Sequence, residues 1–564
     1  MSIVKVMRTP LNIAYSFLRA REMPRGLDIL VLLLLFGFSF FYGLGQNPLI
    51  EPDEARYAEI PREMIELHDF ITPHINYVKY LEKPPLFYWL NALSLQAFGH
   101  TEFAVRFFSS LASLTGILLA WFIGRKLYGR RAGLLSALIL GTSVGYLVQG
   151  RLNIIDIPLT CLMTSGLGFL LLASREGEPR KVFYCHLSYA CMALAVLTKG
   201  LIGIVLPAAI FIIYLSFARR WKLLKELRLA AGTAIFLLIS APWFILVSIR
   251  NPGFARFFFV REHLVRFLTT SHHRYEPFWF FIPVLIGCMF PWSCFFPAAA
   301  SMAIRKTRNA EHDADLFLAI WAGAIILFFS LSASKLVTYI LPVFPAMAIL
   351  TGKTLSALMD GGYHSFKKEA YFLQVILLAG AAAVFCYPLI VHTPHLSAIG
   401  GAIYALMLLV EALFVTSSIR NASAVCLLLG LCLMTYVEGV IGPNYIIHSM
   451  LRERSVKELA LIVKGKARPE DKVCAYGFYA QDLSFYTERR IICVDVAGDL
   501  EFGSTQGDQS PWFLDYPAFY ALWDSRSRLF TLIDKDDIKG VREKVSTPIR
   551  FLGQKGDRLL IFNR

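Results

Sequence analysis

A chain of 564 residues with 56% hydrophobic and only 17% charged positions lies well above the roughly 45–50% apolar share of soluble domains. That composition excludes a soluble enzyme and indicates an integral membrane protein with many spans. The formal net charge of +15 does not indicate a nucleic-acid partner, because the cations gather in the short loops that set membrane topology.

Hydropathy marks about thirteen segments of the length that a hydrocarbon core requires, roughly 20 apolar residues each. They lie near 27–45, 102–124, 132–149, 153–173, 182–197, 201–218, 227–248, 277–303, 314–331, 336–352, 370–391, 396–417 and 423–443. Cations cluster in the N-terminal arm (Lys5, Arg8, Arg19, Arg21, Arg25) and then in alternate loops, from Arg125 to Arg131, Arg175 to Lys181, Arg219 to Arg228, Arg305 to Arg308, and at Lys367 and Lys368. The positive-inside rule makes these cytoplasmic. The N-terminus is then cytoplasmic, and loops 46–101 and 249–276 and the tail 445–564 face outward. No small-residue cleavage site follows the first segment, so it is expected to be retained as a span.

The first outer loop carries Glu51, Asp53, Glu54, Glu59, Glu63, Glu66 and Glu82 beside Arg56, Arg62, Lys79 and Lys83. Charges next to a membrane segment are costly to desolvate and persist where they pair, face water or handle a polar substrate. Two stretches, DEARYAEIPREMIEL and PPLFYWLNALSLQAFG, read as helices too short to cross, and are expected to lie along the outer interface. The second outer loop places Arg250, Arg256, Arg261, Arg266 and Arg274 among aromatic residues, on the side where cations are normally scarce. A phosphorylated lipid is the ligand that such a segment fits, with guanidinium heads on phosphate and rings on lipid.

Asp156, in RLNIIDIPL, is a carboxylate inside an apolar run, a functional candidate by position, with pairing to Arg151 as the structural alternative. Asp53 closely follows a span at membrane depth; as a structural alternative it caps a helix. Of the ten cysteines, only Cys474 and Cys493 fall in a polar region, where one disulfide is conceivable if that region is extracytoplasmic. The tail combines an amphipathic helix pattern, SVKELALIVKGK, with short apolar runs (KVCAYGF, RIICVDV, RLFTLI, IRFLGQ, RLLIFN). A small α/β accessory domain is expected there. The chain thus divides into a transmembrane part, 1–444, and an outward domain, 445–564.

Several motifs follow one another in a fixed order: Pro52-Asp53-Glu54-Ala55-Arg56-Tyr57, Arg62-Glu63-Met64, Glu82-Lys83-Pro84-Pro85 with Tyr88-Trp89, Leu197-Thr198-Lys199-Gly200, Glu262-His263-Leu264-Val265-Arg266-Phe267, His273-Arg274 before Pro277-Phe278-Trp279, Pro291-Trp292, and Ser334-Lys335-Leu336-Val337-Thr338-Tyr339-Ile340-Leu341-Pro342. This series resembles the bacterial lipid A aminoarabinose transferases and the wider protein O-mannosyltransferase-like group, over positions 25 to 350. It departs from the former where Gly-Lys-Leu-Pro-Thr-Tyr is replaced by Ser334 to Tyr339, and where Lys-Pro-Ile becomes Lys83-Pro84-Pro85.

The resemblance implies a GT-C membrane glycosyltransferase of the bacterial inner membrane that takes a sugar from a polyprenyl phosphate, with the C-terminal domain periplasmic. Lipid A is the leading acceptor, and a protein or another glycan the runner-up. Such a donor is already activated, so the enzyme must clamp the phosphate, place a carboxylate at the reacting face and exclude water. Asp53 and Asp156 are the implied catalytic acids. Lys83, Arg56, Arg266, Arg274, Lys199 and Lys335 are the implied phosphate clamp, and Glu82, Tyr57, Tyr88, His263 and Tyr339 the positioning groups. No cofactor is required on this reading; Glu82 and His263 are weak candidates for a divalent cation, without HExxH, DxD or a cysteine set beside them. Two other classes compete. A lipid-linked sugar transporter would need inverted repeats and charges at mid-membrane, and a noncatalytic receptor for anionic lipid would need the basic loop but not the acids.

Overall fold

The computed structural model describes residues 23–265, 276–304, 310–360, 367–390, 398–420, 423–441, 455–496 and 498–564. The chain folds as two compact units, one formed by residues 1–43, 109–245 and 259–447, the other by 44–108, 246–258 and 448–564.

The first unit is helical. Each of the thirteen hydropathic segments coincides with one or more helices, from Arg25–Phe41 through Asp156–Ala173 and Lys181–Lys199 to Ala424–Ile441. Among the described residues eight helices are long and apolar enough to cross a membrane, or nine if a bent pair is one span. That pair is the segment expected at 277–303, which breaks between Phe281–Cys288 and Trp292–Met302 with a bend of 110°. Close helix packing needs small residues. A Cβ on Gly133 would lie 2.6 Å from the Trp121 carbonyl oxygen, and one on Gly203 2.5 Å from the Ala195 carbonyl carbon. Several buried charges inside this unit are paired. Asp28, fully buried, accepts from Arg125 (2.7 Å) and Arg130 (2.6 Å), and Asp315 accepts from Tyr128 (2.6 Å) and Lys353 (2.7 Å).

The second unit joins the first outer loop to the C-terminal domain. Helix Asp53–Glu66 leads into a two-residue-stranded hairpin, β1 (His74–Ile75) and β2 (Val78–Lys79), and then into helix Leu86–Phe98. The turn at Asn76 and Tyr77 has φ of 52° and 60°, the left-handed geometry of a tight hairpin. The C-terminal sheet has the order β5-β4-β3-β6-β8-β7, from Phe513–Leu514 (β5), Ile492–Val494 (β4), Lys472–Tyr476 (β3), Leu529–Asp534 (β6), Arg558–Phe562 (β8) and Arg550–Lys555 (β7). The pairs β3–β4, β3–β6 and β4–β5 are parallel, and β8 closes the sheet antiparallel to both β6 and β7.

One face of this sheet packs with helices Lys457–Lys466 and Gln481–Thr487 into a core that also takes Leu49, Ala55, Ala58 and Leu95 from the first loop, and Ala104 and Val105 from the start of helix Glu102–Tyr128. The other face buries Phe519, Trp523 and Val541. Helix Asp53–Glu66 therefore buries Glu54, Glu59, Arg62 and Glu63 in a protein core. Asn76 ties the hairpin to β4, donating to Ile491 O and accepting from Ile491 N, both at 2.8 Å.

The disulfide conceived between Cys474 and Cys493 does not form; both thiols are free. Cys474 pairs in register with Ile492 and Cys493 with Ala475, so the two cysteines project from opposite faces of the sheet. Alkylation of the unreduced, denatured protein, followed by peptide mass analysis, is expected to label both residues fully. A linked pair of peptides would contradict the register.

Candidate functional site

Within the second unit, the turn Pro48 to Pro52 delivers Asp53 as the first residue of helix Asp53–Glu66, with Pro52 at the cap position. Asp53 is half exposed and its Oδ1 lies 3.8 Å from Arg56 Nη1, whose own side chain is largely buried. Tyr57 continues the same helix and is fixed by packing on Phe87 (5.6 Å between ring centroids) and Tyr88 (6.0 Å). Its carbonyl accepts from Asn91 Nδ2 at 3.1 Å, which ties helix Asp53–Glu66 to helix Leu86–Phe98.

Between them, the Tyr80 hydroxyl donates to Glu82 Oε2 (3.0 Å), and Lys83 Nζ donates to the Glu82 carbonyl (3.3 Å). Tyr80 and Tyr88 are both pushed well above the ordinary phenol range, by burial first and then by the Glu82 charge, with Arg56 acting against it. One carboxylate and one guanidinium therefore act on the same two phenols. The first-loop motif residues Arg56, Tyr57, Glu82, Lys83 and Tyr88 form one constellation.

Within the first unit, a second constellation assembles from residues far apart in sequence. Lys199, in the last turn of Lys181–Lys199, forms an ion pair with Asp156, in the first turn of Asp156–Ala173. The alternative partner Arg151 instead donates to the carbonyls of Ser39 and Tyr42 (2.7 Å to the latter). Lys199 Nζ also sits 4.8 Å from the centre of the Tyr339 ring, a cation–π distance. Lys335 is buried and donates to the carbonyls of Ser332 (2.8 Å) and Glu276 (3.0 Å). Its ammonium is thus held by neutral acceptors.

Arg266 and Arg274 lie outside the described residues, as does the side chain of His263. Among the described residues no group of three or more His, Cys, Asp or Glu side chains could hold a metal ion.

Two supporting residues carried no local signal in the sequence. Arg106 donates to both Glu54 oxygens (2.7 Å each) and to the carbonyls of Leu44, Asn47 and Pro48, at 3.0, 2.8 and 2.8 Å. It thereby holds the turn ahead of Asp53. Tyr80 holds Glu82, and neither role is visible without the tertiary fold.

The model of the dolichyl-phosphate-mannose-protein mannosyltransferase family matches residues 82–246, and that of the aminoarabinose transferase C-terminal domain matches 459–563. The fold and these matches define a multi-pass membrane glycosyltransferase of the GT-C fold. An undecaprenyl phosphate-α-4-amino-4-deoxy-L-arabinose arabinosyl transferase of Aeromonas salmonicida is 30% identical over 528 residues, covering 90% of this chain and 94% of that protein. The crystal structure of ArnT from Cupriavidus metallidurans bound to undecaprenyl phosphate superposes with a TM-score of 0.85 at 29% identity, covering 95% of this chain and 98% of that one. The apo oligosaccharyltransferase of Archaeoglobus fulgidus, at 14% identity and a TM-score of 0.52 over 94% of this chain and 72% of its own, shares the fold alone. The chain belongs to the family of undecaprenyl phosphate-aminoarabinose arabinosyl transferases.

Proposed function

We propose that this protein transfers 4-amino-4-deoxy-L-arabinose, or a closely related sugar, from undecaprenyl phosphate to a phosphate of lipid A, at the outer face of the bacterial inner membrane. The observation that carries this reading is likeness over nearly the whole chain, both domains included, to a transferase whose solved structure holds undecaprenyl phosphate. The cation pattern of the loops supports a cytoplasmic N-terminus and a periplasmic C-terminal domain.

In the reaction, an acceptor oxygen attacks C1 of the sugar, and the bond from C1 to the donor phosphate breaks. The leaving undecaprenyl phosphate keeps the electron pair. The candidates to neutralise that phosphate are, in one unit, Arg56 and Lys83 and, in the other, Lys199 and Lys335 with Arg266 and Arg274, as charged donors suit developing anionic charge. A lipid A phosphate is itself charged at neutral pH, its second pKa being about 6, so no base is needed to activate it. Asp53 then orients the acceptor or holds the cationic amino group of the sugar. Asp156, the second implied catalytic acid, is paired with Lys199 and on this reading acts through that amine, and Glu82, Tyr57, Tyr88, Tyr339 and His263 position the sugar and its phosphate. The reaction proceeds without a metal.

A second reading rests on the mannosyltransferase family match. With a protein or glycan hydroxyl as acceptor, Asp53 acts as general base. Mass analysis of lipid A from cells with and without this chain separates the two. The first reading expects an added aminopentose on a lipid A phosphate, and unchanged lipid A beside a newly glycosylated protein would overturn it.

The Asp156–Lys199 pair offers a further check. Lys199→Met leaves a largely buried carboxylate without its amine and is expected to cost roughly 3 kcal/mol of stability. Asp156→Asn combined with Lys199→Met should recover most of the melting temperature and none of the transfer rate. Recovery of the rate as well would make the pair purely structural.

A further inference from the structure

The turn that presents Asp53 is pinned from three sides within its own unit. Leu49 N donates to the Tyr486 hydroxyl (2.9 Å), Ile50 N to Glu54 Oε2 (3.0 Å), and Asp482 N to Glu51 Oε1 (3.0 Å). The last of these sets the part-buried carboxyl of Glu51 on the backbone of Asp482, whose own carboxyl is out of water. Asp482 is fully buried; its Oδ2 accepts from Ser455 Oγ and from Val456 N, both at 2.9 Å. Its Oδ1 is buried with no donor.

A pair of ionised carboxylates offers acceptors only. A proton on Glu51 supplies the donor that Asp482 Oδ1 lacks and removes the repulsion between the two groups.

The surrounding charges do not replace that proton. Arg106 is engaged by Glu54, Lys457 by Glu102, and Arg558 by Asp534 at 2.9 Å. The Tyr486 hydroxyl donates to Glu102 at 2.9 Å. Of these, Arg558 acts on Glu51; it and the Asp482 backbone N–H oppose the proton, while burial and the Asp482 charge, the larger causes, favour it. Among the described residues neither carboxyl of the pair has a cation bonded to it.

We propose that Glu51 is a positioning residue: it carries a proton that it donates to Asp482, and this shared-proton bond locks the turn leading into Asp53, so that transfer is favoured by acid and fades in alkali. The effect on transfer rests on the function proposed above; the lock itself does not.

Burial, and then the Asp482 charge, hold Glu51 well above the ordinary carboxylate range. Asp482 is raised by burial too, but its Oδ2 already accepts from Ser455 and Val456, two donors that favour the charged form there and leave Glu51 as the proton carrier. A group whose folded value is raised contributes stability that is complete in acid and is lost as pH rises through that value.

The test follows kcat, KM and the melting temperature of the purified full chain from mildly acidic to alkaline pH, with labelled undecaprenyl-phosphate sugar as donor. The wild-type protein should lose both kcat and melting temperature as pH rises. Glu51→Gln, whose amide donates without titrating, should flatten both profiles, and Asp482→Asn, which donates back to an ionised Glu51, should do the same. Glu51→Ala should lower kcat by roughly ten- to hundredfold with the donor KM little changed, the scale of a small misplacement of a reacting group. A Glu51→Gln protein that keeps the wild-type alkaline loss in both readouts, or a Glu51→Ala protein with wild-type kcat, would overturn the proposal. Flattened melting with no turnover in any variant would uphold the lock and overturn the transfer reading instead.

Discussion

Asp53→Asn is expected to reduce sugar transfer by roughly 10²–10⁴-fold, the span that general-base and charge-placing groups supply, while leaving the protein folded. The side chain is half exposed and its nearest cation, Arg56, is 3.8 Å away, so removing the charge costs little stability. Such an asymmetry between rate and stability marks a group kept for chemistry. Steady-state transfer by the purified variant, with its melting temperature measured alongside, reads both quantities. Near-wild-type transfer would remove Asp53 from the mechanism.

Arg106→Met is expected to have the opposite signature, a loss of roughly 3–5 kcal/mol of stability in the second unit. The substitution leaves the buried Glu54 without its guanidinium, and strips donors from the carbonyls of Leu44, Asn47 and Pro48. Limited proteolysis across the turn at 44–52 should become much faster, and kcat should fall because Asp53 follows directly. Glu54→Leu combined with Arg106→Met should recover only part of the loss, since the three carbonyls stay unpaired. A melting profile unchanged by Arg106→Met would show that the arginine is not the support of this turn.

These two residues also show what the sequence makes legible. Asp53 stands in a motif of contiguous residues just after an apolar segment, so both its chemistry and its place could be read. Arg106 looks like one more charge at the start of a span, and its partner Glu54 is 52 residues away. The tie between Glu51 and Asp482 crosses 431 residues, and no local pattern reports it. Each segment that hydropathy marks coincides with helix, because helix formation in lipid follows from composition over a window, though among the described residues only eight or nine are long and apolar enough to span. Hydropathy is blind to the 110° bend within 277–303, which keeps the same apolar character on both sides of Pro291.

The C-terminal strands were legible from short apolar runs, except Phe513–Leu514, whose two residues are too few to make a pattern. The first loop was expected as two interfacial helices. Both helices are present, and the hairpin between them and their shared core with the C-terminal sheet emerge only from tertiary packing. The ion pair of Asp156 with Lys199 replaces the local Asp156–Arg151 alternative for the same reason. A helix end brings distant residues closer than a nearby loop position does.

The central claim is that the sugar leaves a polyprenyl phosphate and arrives on an acceptor in one coupled step. The most direct measurement counts both products at once, using purified protein, undecaprenyl-phosphoryl sugar labelled in the sugar, and lipid A in detergent or vesicles. Transfer predicts one undecaprenyl phosphate released for each labelled lipid A formed. Movement of intact donor across the vesicle membrane with neither product, or release of undecaprenyl phosphate with no labelled acceptor, would contradict it.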